Sequence, residues 1–171
     1  GAGGAVEVVK QCASSAGELA GALDDILAQM QQTDTRRGLD AVVLSPHVQS
    51  AMLQLPVNPR RPLPAQEMRR LVKWELEPYL SQDQDFAGEP ACGWAATDAP
   101  PADGKWQWSA AAASESFRRY VVEVLTSRNI RLRGLYSMDG EDGPRAAAAA
   151  AMGLAGPAAA ACVPAAEPSD P

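Results

Sequence analysis

The chain has 171 residues, with 15 Lys+Arg against 21 Asp+Glu, one His and three Cys, for a formal net charge of −6. That length suits one compact domain, or one domain with tails. The charge argues against a surface built to coat nucleic acid or anionic lipid. The 46% apolar content overstates the core, because alanine fills long runs near the end and only four Trp, three Tyr and two Phe are present.

No run approaches the roughly 20 strongly apolar residues that span a bilayer. Gly1, Ala2, Gly3 and Gly4 lack the basic start and apolar stretch of a secretory signal. Cys12, Cys92 and Cys162 are far apart in sequence, so none of the short spacings of a zinc knuckle or redox motif occurs. Their odd number fits reduced thiols better than a disulfide framework. Composition therefore predicts a soluble, acidic, intracellular domain.

In chain order, Ala5 to Ala13 reads as a strand, with Val6, Val8 and Val9 among polar neighbours. Ser15 to Glu18 has the capping-box pattern, followed by Leu19, Leu23, Ile26, Leu27 and Met30 at helical spacing. Asp40 to Ser45 is a short apolar run typical of a strand buried on both faces, stopped by Pro46. Ala51 to Val57 is a second strand, after which Pro59, Pro62 and Pro64 form a stiff connector.

A helix from about Pro64 to Leu80 follows. Met68, Leu71, Val72, Leu76 and Tyr79 mark its buried side, and Pro78 kinks or ends it. Ala91 to Thr97 and Lys105 to Ala113 flank the turn-rich link Asp98 to Gly104 and predict a hairpin. Trp106 and Trp108 alternate with polar residues, as in a half-buried strand. Ser114 is a good N-cap for a helix carrying Phe117, Tyr120, Val121, Val124 and Leu125. Arg128 suits its C-terminal end and Asn129 a left-handed stop. Ile130 to Tyr136 is the last strand.

From Ala51 the order is strand, helix, strand, strand, helix, strand, the split βαβ arrangement in which one antiparallel sheet carries both helices on one face. The predicted fold class is α/β (α+β). The predicted organisation is a first strand–helix–strand unit over 1–49, a ferredoxin-like βαββαβ subdomain over 50–137, and an Ala/Pro-rich segment over 138–171. In that last segment Arg145 to Leu154 suits an Ala-rich helix, and the stretch from Pro157 reads as a disordered tail.

A catalytic reading starts poorly. His47 is the only histidine, so every Ser-His or Cys-His pair must use it, and it sits in a turn between Pro46 and Val48. No GxxxxGK[ST] or strand-to-helix GxGxxG exists to cradle a phosphate. Asp139, Glu141 and Asp142 supply too few ligands in EF-hand spacing to cage calcium. Glu67, Glu75 and Glu77 share a helix with Arg69, Arg70 and Lys73, so surface ion pairs explain them. Lys105 to Ala112, reading KWQWSAAA, lacks the glycine and aromatic spacing of an RNA-recognition strand. No catalytic, cofactor-binding or metal-ligating residue is assigned.

The basic residues are the informative ones. Arg60, Arg61, Arg69, Arg70 and Lys73 concentrate positive charge ahead of the mostly acidic stretch from Glu75 to Glu89. An arginine-rich helix of this kind suits a protein partner, with Arg69, Arg70, Lys73 and Trp74 as the contacts.

Residues 40–80, reading DAVVLSPHVQSAMLQLPVNPRRPLPAQEMRRLVKWELEPYL, resemble the actin-like assembly proteins of bacterial surface machines. These are the PilM-type proteins of type IV pili, the MshI-type proteins of MSHA pili and the cytoplasmic domain of the type II secretion protein GspL. The resemblance is carried by Leu44-Ser45-Pro46, by Leu55-Pro56, by Pro64 to Met68 and by Val72 to Pro78. The run from Trp108 to Tyr136 also fits, and the likeness spans about residues 5–137.

The resemblance implies a partial actin-like (ribonuclease H-like) fold. The implied role is a non-catalytic scaffold at the cytoplasmic face of the inner membrane, docking other pilus or secretion components. Two features of complete actin-like proteins are missing, the Asp- and Gly-bearing phosphate motif on a first strand and the second nucleotide-binding half. No nucleotide contact is therefore transferred. A nucleotide-binding ATPase-like protein completed by another chain, and an RNA-binding ferredoxin-like module, are the alternatives. Self-association through an open sheet edge remains a further expectation.

Overall fold

The computed structural model describes residues 19–29, 39–80, 90–151 and 160–162. The expected strand over Ala5 to Ala13 and the capping box at Ser15 to Glu18 lie outside the described residues. The fold is mixed α/β, with a parallel strand pair and a separate antiparallel sheet.

The antiparallel sheet has the order β2–β4–β3, from Gln49–Leu55 (β2), Ala91–Ala96 (β3) and Trp106–Ala113 (β4). The hairpin joining β3 to β4 closes where Ala102 and Lys105 exchange backbone hydrogen bonds of 2.9 Å each way. Between them Asp103 and Gly104 both take positive φ, 55° and 74°. An Asp-Gly pair tolerates this geometry, which matches the twist of the flanking strands.

Helix α2 (Ala65–Leu76) covers one face of this sheet. It begins directly after Pro64, whose φ of −53° and ψ of 150° hold the chain extended until the helix starts. Met68, Val72 and Leu76, at helical spacing, are buried against Leu53, Leu55, Trp108, Ala110 and Ala112. Full burial of each such side chain contributes about 1.5–3 kcal/mol. The α-helix stops at Leu76, and Glu77–Tyr79 tighten into a 3₁₀ turn around Pro78. Trp108 Nε1 donates to the Val57 carbonyl at 3.0 Å, satisfying the one polar atom of a buried indole.

The parallel pair is Leu39–Ser45 (β1) with Ile130–Ser137 (β5). Helix α1 (Leu19–Gln29) and helix α3 (Glu115–Thr126) lie on one side, where Val121, Leu125 and Ile130 pack with Leu19, Leu23, Leu39, Ala41 and Val43. Helix α4 (Asp142–Ala151) lies on the other, its Ala146 and Ala147 against Tyr136 and Val42. Ser114 caps α3, its Oγ accepting from the Phe117 amide at 3.1 Å. Asn129, with φ of 59°, stops it in the left-handed conformation. Arg128 makes a bidentate pair with Asp24, at 2.8 and 3.1 Å, and ties α1 to that end.

Four expectations need correction. The last strand does not complete a four-stranded ferredoxin-like sheet; β5 pairs in parallel with β1, and α3 packs on that pair rather than beside α2. Three strands in the order β2–β4–β3 are what residues 50–137 place in one sheet.

Strand β4 is central and its residues from Trp108 to Ala113 are buried, so the Trp106/Trp108 alternation does not mark a half-wet strand. Strand β1, by contrast, is not buried on both faces, since Asp40 and Leu44 are exposed.

The stretch after Pro157 is also not tail throughout. Ala160 and Cys162 are buried with Val48, Ala111, Ala113 and Leu135. The Ala160 amide donates to Ser109 Oγ at 3.1 Å, and the Cys162 amide to the Leu135 carbonyl at 3.0 Å.

Candidate docking surface

Burial of Met68, Val72 and Leu76 fixes which side of α2 meets solvent. Arg70 and Trp74, four residues apart, stand on the opposite side, and both are exposed. Trp74 is 73% exposed, the largest value among the exposed large apolar side chains of the described residues. Arg69 is exposed and Lys73, also four residues apart, is half-buried on the flank between pole and core. The four residues expected at the contact therefore lie on one helix, divided into an outer Arg/Trp stripe and a basic flank.

Two further arginines belong with them. Asn58 builds the turn that leads to α2: its Oδ1 accepts from the Arg60 amide and its carbonyl from the Arg61 amide, each at 2.9 Å. Both arginine side chains emerge exposed from this turn. The Asn-Pro pair at 58–59 is the sequence signal that foretells such a turn. Leu63 and Tyr79, 37% and 55% exposed, add apolar area before and after the helix.

Among the described residues neither Arg69 nor Arg70 pairs with Glu67, Glu75 or Glu77, all of which are exposed. Elsewhere arginines are held. Arg118 and Arg119 meet Glu115, Arg128 meets Asp24, Arg131 and Arg133 share Asp40, and Arg145 meets Glu141. These contacts hold the carboxyls of Glu115, Asp24 and Asp40 below the ordinary carboxylate range, chiefly through the hydrogen bonds from Arg118, Arg128 and Arg131 respectively.

The other chemistry-bearing residues are placed structurally. The His47 ring lies 5.0 Å from the Phe117 ring, tilted by 48°, and its amide donates to Ser45 Oγ. Among the described residues Cys92 and Cys162 form no disulfide, and burial pushes the Cys162 thiol up.

A cleft of about 290 Å³ opens beside the β5–α4 turn, lined by Ser109, Ser137, Asp139, Glu141 and Asp142 among others. Both serine hydroxyls already accept backbone amides, from Ala160 and Asp139. The three carboxylates disfavour a phosphate there. Among the described residues no group of three His, Cys, Asp or Glu side chains is arranged to hold a metal ion.

The structure thus defines a mixed α/β protein whose most distinctive surface is the outer side of α2. No family model matches the chain, and no curated protein matches it either. Among the described residues no helix is long and apolar enough to cross a membrane.

Proposed function

We propose that the protein is a non-catalytic scaffold that docks other components of a type IV-like (MSHA) pilus or a type II secretion assembly at the cytoplasmic face of the inner membrane. The machine is suggested by the resemblance of residues 40–80. The docking role is supported by one observation: α2 buries Met68, Val72 and Leu76 and sends Trp74 and Arg70 into solvent on its other side. Arg and Trp are the residue types that dominate binding energy in protein interfaces. The Trp74 ring, 73% exposed, is available to a partner.

The test uses the full chain and the purified cytoplasmic proteins of these machines. Arg69→Glu with Arg70→Glu is expected to leave the circular dichroism spectrum unchanged and to abolish capture of the partner. Capture at the level of the unaltered chain removes this surface from the reading.

Calorimetry with ATP and magnesium separates the scaffold from a nucleotide-binding protein completed by another chain. The scaffold gives no heat of binding.

A further inference from the structure

We infer that the segment docking on α2 is an acidic peptide with an apolar or aromatic anchor. This rests on the docking reading above and adds the chemistry of the partner.

The argument starts from how the arginines are distributed. Arg118, Arg119, Arg128, Arg131, Arg133 and Arg145 each have a carboxylate partner within the fold. Arg60, Arg61, Arg69 and Arg70 have no ion pair among the described residues, and all four fall in the turn before α2 or on α2 itself. In a chain of net charge −6, carboxylates are in excess, yet among the described residues none is placed on these guanidinium groups.

A guanidinium offers a rigid fork that matches a carboxylate bidentately, so this is where an external carboxylate finds unoccupied donors. Trp74 lies one helical turn beyond Arg70 and presents an apolar surface to whatever pairs with Arg70. An apolar side chain beside the partner's carboxylates would desolvate that indole and strengthen the neighbouring charge pairs.

The same surface is poorly suited to a continuous polyanion. Glu67, Glu75 and Glu77 are exposed on and just after the same helix, interleaved with the basic groups. A lipid headgroup layer or an RNA backbone would bring phosphates against these carboxylates as well as against the arginines, and the net charge of −6 adds long-range repulsion. A peptide can place a few carboxylates on Arg69 and Arg70 and leave the glutamates in water.

Fluorescence anisotropy of the full chain against synthetic probes tests the inference. One probe carries several Asp and Glu around a Phe and a Leu. A second replaces the acids with Lys, and a third replaces Phe and Leu with Ala. Phosphatidylglycerol vesicles and an oligouridine RNA complete the set.

The acidic, anchored probe is expected to bind, more weakly as salt rises, and to lose affinity at least roughly tenfold with Arg69→Glu/Arg70→Glu and with Trp74→Ala. The Lys probe does not bind, and the Ala probe binds more weakly. Failure of the acidic probe to bind overturns the inference, as does equal binding by the charge-reversed chain. Binding to vesicles or RNA with no binding to the acidic probe overturns it too. If the assembly partner is captured through Arg69 and Arg70 while the acidic probe fails, the scaffold reading stands and only the partner's chemistry is wrong.

Discussion

Gly93, in β3, has no room for a side chain. A Cβ built there would lie 1.7 Å from the Ala161 carbonyl oxygen, which is backbone and has no rotamer to change. Gly93→Ala is therefore expected to push residues 160–162 off the sheet and to cost more than about 2 kcal/mol, as clashes in packed interiors do. Thiol labelling reads the event directly. Cys162 is buried and burial holds it protonated, so it should be inert to a thiol-reactive dye in the unaltered chain and labelled in the variant. Equal labelling of Cys162 in both would show that the segment is not held this way.

Trp108 is the second residue with a specific task. Replacing it by Phe removes the donor to the Val57 carbonyl. Loss of about 1–3 kcal/mol is expected in urea unfolding, because the carbonyl is left without its partner.

At the scale of elements, β4 explains its own composition. Trp108, Ala110 and Ala112 face α2, and Ala111 and Ala113 face residues 160–162. Small side chains let both neighbours approach a strand covered on each side. A chain ending at Ala151 would uncover Ala111, Ala113 and Leu135, and is expected to unfold at a lower urea concentration than the full chain.

The β1–β5 pair carries a different device. Arg131 Nε donates to Asp40 Oδ1 at 3.1 Å and Arg133 Nη1 to Oδ2 at 3.0 Å, across a register shift between Ala41 and Val42. The Asp40 carboxyl is lowered by these contacts, Arg131 first. A carboxyl with a depressed folded-state value stabilises the fold above its unfolded value, near about 4, and that contribution is lost as pH falls through the folded value. The urea midpoint should therefore drop on acidification below about pH 4, and Asp40→Asn should flatten part of that drop. Asp24 and Glu115 act in the same direction, so the substitution removes only a share of it.

For the molecule as a whole, the average charge conceals its distribution. Arginines that join elements are neutralised within the fold, and those around α2 are left to solvent. Capture of a partner through α2 should accordingly weaken as salt rises, since these exposed charges are screened over about 10 Å at 0.1 M ionic strength. Partner capture measured at low and high salt checks this. A salt-independent result would assign the binding to apolar contacts alone.

Much of this was readable from local pattern. The helix over α2 follows from Met68, Val72 and Leu76 at spacings set by 3.6 residues per turn, and the exposure of Arg70 and Trp74 follows from the same geometry. The Ser114 cap, the Asn129 stop and the Asp103-Gly104 hairpin are equally local, because each depends on a few consecutive dihedral angles. Strand partnership is not local. Nothing in Ile130 to Ser137 says whether it pairs with β2 or with β1, since either neighbour satisfies the same backbone groups and apolar side chains. Nor does an Ala- and Pro-rich stretch announce that Ala160 and Cys162 are buried. That depends on a slot lined by Gly93, Ala111 and Ala113, which exists only once the strands have assembled. The sequence by itself determined the elements and the outer side of α2; tertiary structure decided which strands share a sheet, which arginines find carboxylates and where the chain after α4 returns to the core.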